Sequence, residues 1–509
     1  MPSYADPADF ARLAPLPFIV KRLAQRLLPQ GGVRNFALNL AGSVLPMAAA
    51  LLALPVLLHY AGTERLGALS IVWALIGYLG LLDLGLARVL TRRVAQAPDD
   101  EAVAAETALA LRIALLQAAI LVPLALSLAW ALRPEWLAPR ADATLRAEIG
   151  ASLWIVLPTL PLVLASGLLR GLLEGRQRFA AANVLRAAFG TWSFAAPALV
   201  AALGAPTLPA LVGAVAVGRA LALPAHWIAV RRVAPRRAVA PPAVALSALL
   251  REGGWLTVSS AISPLMVALD RVVVGALLSL AAAAYYAVPQ EVALRLLLVP
   301  AALAGTLFPL LAQAHEQSAR RHTLVRRAVF GAVGVSLPLC LLMAGFAEPA
   351  LALWMGREFA LASAPVAAAI ACGLLANGVA QIPFAAIQAA GRADLAARLH
   401  LLELPVFVLL LWRLTDTWGL LGAGIAWSLR TTVDALALFA LNRRIGLHDG
   451  LLATLRTPAL AFGLTVATAL AASVLPAPAR WAAVAALLTA GAVLSGHCIR
   501  AARRPVPGA

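Results

Sequence analysis

"GYLGLLDLGLARVLTRRVA", residues 77–95, opens as an apolar run and closes on two adjacent arginines, Arg92 and Arg93. One carboxylate, Asp83, stands inside the apolar part. A helix of about 20 apolar residues crosses the hydrocarbon core of a bilayer, and positive charge collects at its cytoplasmic end. The stretch therefore reads as the second half of a membrane span that runs inward and stops before Arg92. Asp83 then lies about seven residues, roughly 10 Å, from the end of that span near Leu90. That is shallower than the bilayer centre, where a charge costs about 2.5–3.5 kcal/mol on insertion scales. Two roles are open to it: pairing with Arg88, Arg92 or Arg93, and contact with a gate at the cytoplasmic mouth.

The remainder of the chain has the same character. Of 509 residues, 62% are hydrophobic and 13% charged, with a mean hydropathy of +0.88, whereas soluble domains sit near 45–50% apolar and about 25% charged. The chain is expected to be an all-α polytopic membrane protein. Residues 1–36 carry Arg12, Lys21, Arg22, Arg26 and Arg34, and no small-residue cleavage site follows the first apolar run, which therefore reads as a retained span. The net charge of +18 fits loops that set topology and meet anionic lipid head groups, without invoking nucleic acid. Cys340, Cys372 and Cys498 lie in apolar runs without CxxC spacing, so neither a disulfide framework nor a metal cluster is indicated, and no cofactor is called for.

Fourteen spans are predicted: 37–60, 67–90, 109–132, 149–170, 182–203, 207–230, 254–278, 283–312, 328–347, 360–386, 393–414, 418–441, 457–476 and 480–499. Alternate connections carry the arginine clusters, among them Arg176/Arg178, Arg231/Arg232/Arg236/Arg237, Arg320/Arg321/Arg326/Arg327 and Arg443/Arg444. The intervening connections are short and poor in basic residues or mix acids with arginines. Both termini are thus expected in the cytoplasm, in agreement with an even span count. Prolines inside spans (Pro46, Pro55, Pro158, Pro161, Pro264, Pro300, Pro309, Pro383, Pro405) allow kinks, which suit a bundle around a cavity.

Gly391-Arg392 follows Gly175-Arg176 by 216 positions, and Pro264 follows Pro46 by 218. Six crossings return the chain to its starting side, so this spacing predicts two six-helix lobes of the same orientation with a cleft between them. The expected organisation is a cytoplasmic segment 1–36, an N-terminal lobe 37–230, a linker 231–253, a C-terminal lobe 254–445, two extra spans within 446–500 and a tail 501–509.

Ionisable residues at depth are the functional candidates, because they are costly unless paired or wet. Glu291/Arg295, Arg430/Asp434 and Arg170/Glu174 stand one turn apart, where each pair can neutralise itself and lock helix packing. His400 and Glu403 form a similar couple. Arg219, near the middle of span six, has no acid nearby in sequence; Arg271 adjoins Asp270, but consecutive residues diverge by about 100° on a helix and need not pair. A guanidinium cannot deprotonate, so Arg219 and Arg271, with Arg295 and Arg430, are candidates to line a cationic cleft that grips phosphate oxygens. Asp83, Asp270, Glu291, Glu403 and Asp434 are the candidates for gating or for a coupling proton or sodium ion.

Several segments carry a family likeness: "NLAGSVLPMAAALLALPVLLHYAGTERLGALSIVWALIGYLGLLDLGLARVLTRRVA" (39–95), "GLLEGRQRFAAANVLR" (171–186), "LDRVVVGALLSLAAAAYYAVPQEVALRL" (269–296), "LFPLLAQ" (307–313), "LWMGREFA" (353–360) and "IQAAGRADLAARLH" (387–400). In these the chain resembles the polysaccharide-biosynthesis exporters, the lipid-linked oligosaccharide flippases of the multidrug/oligosaccharidyl-lipid/polysaccharide superfamily. The resemblance implies two six-helix lobes in a V, working by alternating access. It also implies transfer of an undecaprenyl-pyrophosphate-linked oligosaccharide (an O-antigen, capsule or exopolysaccharide unit) across the bacterial inner membrane to the periplasmic leaflet, with a glycan polymerase as a possible partner. No substrate-reading motif carries over, so the candidate residues rest on depth and pairing alone. Two other classes were weighed. A drug or cation antiporter of the same superfamily calls for a net acidic cavity, and a membrane polysaccharide polymerase or ligase calls for a long external loop; the sequence has neither.

Overall fold

The computed structural model describes residues 30–79, 86–233, 265–266, 269–313, 318–446 and 451–503. Asp83, most of the seventh predicted span, the linker from 234 and the tail from 504 lie outside the described residues. All regular structure among the described residues is helical. The N-terminal half contains α1 (Gln30–Leu79), α2 (Leu86–Gln96), α3 (Asp100–Ala131), a single turn α4 (Pro134–Leu137), α5 (Ala143–Val156), α6 (Leu160–Gly175), α7 (Phe179–Ala202) and α8 (Leu208–Arg231). After the helical residues 269–277 come α9 (Leu280–Leu296), α10 (Leu298–Gln313), α11 (Ser318–Gly345), α12 (Ala347–Met355), α13 (Arg357–Ala389), α14 (Ala393–Arg444), α15 (Leu451–Val474) and α16 (Ala477–Arg503). The helix boundaries follow local chemistry. α3 begins nine residues before its predicted apolar span because Asp99 caps it, accepting from the Ala102 amide at 2.8 Å, and Asp100 and Glu101 face its positive end. α5 and α6 form one crossing, joined by the 3-10 turn Leu157–Thr159 at Pro158.

Eleven of the described helices are long and apolar enough to cross a membrane, and two of these are far longer than a bilayer requires. Both contain a glycine with a positive φ: Gly62 in α1 (φ 82°) and Gly419 in α14 (φ 58°). At Gly62 the chain reverses. On α7, Gly190 packs against Pro46 and the Ser193 carbonyl, one turn on, accepts from Trp73 Nε1 at 3.0 Å. Pro46 and Trp73 would be some 40 Å apart in a straight helix, so both can meet one turn of α7 only if α1 doubles back. At Gly419 the two arms lie so close that a Cβ on Gly422 would collide with the Leu414 carbonyl. Splitting α1 and α14 at these turns yields thirteen arms among the described residues. The fourteenth predicted span, 254–278, is helical over 269–277 and otherwise outside them.

The internal repeat is visible in the turns that end equivalent helices. Gln177 and Gly391, 214 positions apart, have φ of 57° and 73°. Each sits in the same αL cap, with Arg178 N bonded to Leu173 O and Gln177 N to Glu174 O, and with Arg392 N bonded to Ile387 O and Gly391 N to Gln388 O. The Gly204 and Gly419 turns follow at a spacing of 215. The two Gly-Arg pairs of the sequence are thus two positions out of structural register.

Three apolar clusters show how the halves meet. One, containing Tyr286, Trp427 and Phe439, lies wholly within the C-terminal half. A second, built from Leu86, Leu90, Leu109, Leu168 and Leu173, lies wholly within the N-terminal half, on the side of the Gln177 turn. The third crosses between halves: Leu57, Leu66, Leu69, Leu157 and Leu211 join Leu280, Val288, Leu351 and Phe359 on the side of the Gly62, Gly204 and Gly356 turns. Hydrogen bonds reinforce it there, from Trp354 Nε1 to the Leu51 carbonyl (2.8 Å) and from Arg140 to the Leu278 carbonyl (2.8 Å). Among the described residues the halves are packed together at that end.

The Gly422→Ala variant should lose about 2–3 kcal/mol of stability, read as a lower unfolding midpoint in detergent. Gly463→Ala, whose added methyl meets nothing within 4 Å, should be neutral.

Candidate functional site

Six polar side chains converge where residues 269–277 pack against α9. Asp270 and Arg271 are consecutive, so their side chains diverge, and each finds partners on α9 one turn apart. Asp270 Oδ2 accepts from Tyr286 OH at 2.8 Å and from Gln290 Nε2 at 2.9 Å. Arg271 donates through Nε to Gln290 Oε1 at 2.9 Å and through NH2 to Glu291 Oε1 at 2.7 Å. Its NH1 crosses to the N-terminal half and reaches the Ser70 carbonyl of α1 at 3.3 Å. Glu291 also accepts from Arg295 at 3.0 Å, the predicted pair one turn along. Asp270 and Gln290 are fully buried, and Arg271 is 2% exposed. Counting from the α9 N-cap at Ser279, these groups lie roughly 10–24 Å along the helix, which spans the middle of a bilayer. Gln290 is the hinge of the network, because its amide donates to the acid and accepts from the base.

Arg430, 8% exposed, stands near this network without a contact ion pair. Its NH1 lies 3.5 Å from Met266 Sδ and its guanidinium sits 5.3 Å above the Phe407 ring. The predicted Arg430–Asp434 pair does not form, although both lie on α14. The reversal at Gly419 brings His400 and Glu403 of the first arm beside Asp434 of the second, and Asp434 Oδ1 turns to His400 Nε2 at 3.4 Å. His400 therefore faces Asp434 as well as its predicted neighbour Glu403, and the three offer ligand atoms within 4.8 Å of one another. Arg430 is near enough to both groups for its charge to act on Asp270 and on Glu403.

In the N-terminal half, Arg219 of α8 donates to Ser193 Oγ at 3.2 Å, and its Nε has no partner. Among the described residues no carboxylate forms an ion pair with it. Ser193 and Phe407, on which Arg219 and Arg430 rest, are 214 positions apart, the spacing of the αL turns. Each half thus seats one guanidinium at equivalent positions of α7 and the first arm of α14, although Arg219 and Arg430 themselves are 211 positions apart, about one turn out of that register. Arg170 pairs with Glu174 as predicted, at 3.4 Å, and Arg186 shares that carboxylate. Two bidentate clamps escaped the sequence reading: Arg65 to Glu148 at 2.7 and 2.6 Å, and Arg93 to Glu106 at 2.9 and 2.7 Å. Tyr286 and Gln290 were also missed, although their spacing of four marks one helix face.

A family model described as "Polysaccharide biosynthesis protein" matches residues 33–315, more than half of the chain. The chain belongs to this family. A Shigella flexneri protein whose name provisionally makes it an O-antigen transporter is 28% identical over 418 residues, covering 81% of this chain and 98% of that protein. Two solved structures share the fold. The lipid II flippase MurJ in an inward closed conformation aligns with a TM-score of 0.69 at 11% identity, covering 91% of this chain and 99% of its own. An inward-facing multidrug resistance MATE family transporter of the MOP superfamily aligns with a TM-score of 0.68 at 15% identity, covering 80% and 98%. The family member described here is a multi-pass membrane protein.

Arg271 is the most deeply buried cation of the network, and among the described residues Glu291 is its one carboxylate contact. Glu291→Gln should destabilise the protein by about 2–3 kcal/mol, less than the 3–5 of a fully buried pair because Glu291 is partly exposed. The double variant Arg271→Gln/Glu291→Gln should recover most of that loss, as a thermal double-mutant cycle would show.

Proposed function

We propose that this protein flips a lipid-linked oligosaccharide from the cytoplasmic to the periplasmic leaflet of the bacterial inner membrane by alternating access. Membership of the polysaccharide-biosynthesis family and a relative named for O-antigen transport support the substrate class. The observation that carries the mechanism is the asymmetric packing of the halves. Buried apolar residues of both halves join around the Gly62 turn, while the cluster at the opposite end of the N-terminal half includes no described residue of the C-terminal half. With the termini and the arginine-rich connections in the cytoplasm, that arrangement is the inward-facing state, ready to receive a substrate made in the cytoplasm.

The residues divide by what already neutralises them. Among the described residues Arg219 and Arg430 have no contact ion pair, so they are the guanidiniums suited to take the pyrophosphate of an undecaprenyl carrier in two-pronged hydrogen bonds. Arg295 is partly exposed and shares Glu291, which lets it exchange partners as substrate arrives. Arg271 is held by Gln290, Glu291 and Ser70, and its part is to tie the halves together in this state. Rocking toward the outward-facing state breaks the Arg271–Ser70 bond. Asp270 is the group suited to take up a coupling proton or sodium ion, with Glu403 and Asp434 as a second cation-accepting pair, and Asp83 is assigned to a gate contact from its place in the sequence alone. The domain limits 37–230 and 254–445 describe the two moving bodies, with residues 446–500 as an addition to the second.

Deletion of the gene should remove surface polysaccharide and accumulate its lipid-linked precursor; normal surface glycan with raised drug sensitivity would instead favour a drug antiporter. In a complemented strain, Arg219→Ala should lower export at least tenfold with unchanged membrane levels, and Arg219→Lys should recover part of it. Wild-type export by Arg219→Ala would remove that residue from the site.

A further inference from the structure

The hairpin of α14 holds a group of side chains that hydrogen bonding does not account for. His400 is 4% exposed and its Nδ1 has no partner. Neither oxygen of Glu403 is bonded, and Asp434 Oδ1, although 3.4 Å from His400 Nε2, makes no hydrogen bond. A buried polar atom without a partner costs about 1–3 kcal/mol, and here one ligand atom of each residue lies within 4.8 Å of the others, His400 turning Nε2 rather than its unpartnered Nδ1 to Asp434. The His400 ring plane is set by stacking on Phe384, at 6.0 Å between centroids and 28° between planes.

We propose that His400, Glu403 and Asp434 form a binding site for a divalent transition-metal ion of the zinc class. The donor set selects the ion. Sodium, calcium and magnesium take oxygen ligands, whereas one imidazole nitrogen with two carboxylates suits zinc and its first-row neighbours. The dimensions agree. Two ligands at about 2.0–2.1 Å from a tetrahedral metal stand about 3.4 Å apart, and His400 Nε2 and Asp434 Oδ1 are separated by 3.4 Å. Glu403 follows His400 by three residues, and a rotamer change of its flexible side chain closes the remaining edge. Arg430 faces the cluster from one turn before Asp434, so the two carboxylates exceed the local positive charge by one. A divalent ion reverses that excess, and a water on the open fourth position, ionised by the metal, restores neutrality. Because His400 and Glu403 belong to one arm and Asp434 to the other, the ion staples the hairpin at a place remote from the Gly419 turn.

The test uses the full-length protein in detergent, stripped with chelator and titrated with Zn2+ against a chromogenic competitor, with metal content counted by mass spectrometry. The wild type should bind one Zn2+ per chain. His400→Ala and Glu403→Gln should each weaken that binding at least about 100-fold, while exposed His497→Ala leaves it unchanged. Size-exclusion profiles matching the wild type establish that the variants are folded, and the near-isosteric Glu403→Gln guards against loss of the fold. No stoichiometric binding at micromolar Zn2+, or binding that survives both substitutions, overturns the proposal. Because binding is read without transport, failure here is distinct from failure of the flippase assignment.

Discussion

A guanidinium in a bilayer cannot shed its proton, so it must find acceptors. Arg271 meets that demand with a glutamine, a glutamate and a backbone carbonyl, contributed by two helices in opposite halves of the molecule. Its neighbour Asp270 poses the inverse problem and solves it on the same helix face, through Tyr286 and Gln290. Gln290 serves both because an amide carries a donor and an acceptor. The polar chain that results fixes how residues 269–277 sit on α9, and through Ser70 it fixes how that pair sits on α1. The apolar cluster around Gly62 then supplies the bulk of the contact between halves, and the arginine supplies its register.

Glycine determines where that contact can occur. The sharp reversals at Gly62 and Gly419 use positive φ values that other residues adopt at a cost. The Gly62 turn brings both arms of α1 against α7, and the second arm then meets α9 through Gly67, where a Cβ would collide with the Leu280 carbonyl. The Gly419 turn creates the His400–Glu403–Asp434 cluster from residues over thirty positions apart. Small residues at close approaches are what membrane helices use in place of a hydrophobic driving force.

The two halves repeat the same design with different chemistry. Equivalent αL turns end α6 and α13, and equivalent positions on α7 and α14 seat Arg219 and Arg430. Yet the N-terminal arginine rests on a serine hydroxyl and the C-terminal one on a phenyl ring and a thioether. The acids are also unequal: the deep carboxylates Asp270, Glu291, Glu403 and Asp434 all belong to the second half. A duplicated scaffold thus keeps its backbone geometry while its deep acids, among the described residues, stand on one side.

Hydropathy and arginine placement by themselves determined the membrane class and nearly all of the span positions, because bilayer thickness and the positive-inside rule act on local composition, whereas the repeat was suggested by Gly-Arg pairs that stand two positions out of the structural register. The self-contained pairs Arg170/Glu174 and Glu291/Arg295 were also legible, since a spacing of four on one helix needs no tertiary information. Which charges meet across helices was not. Arg430 and Asp434 share that spacing and do not pair, because a hairpin offers Asp434 a histidine and other helices offer Arg430 a ring and a sulfur. Arg219 and Arg271 looked alike in sequence, two unpaired arginines at depth. Only the packing of α1 and α9 around one of them, and the lack of any acid among the described residues beside the other, separates a cation that holds the structure together from one left with its charge available.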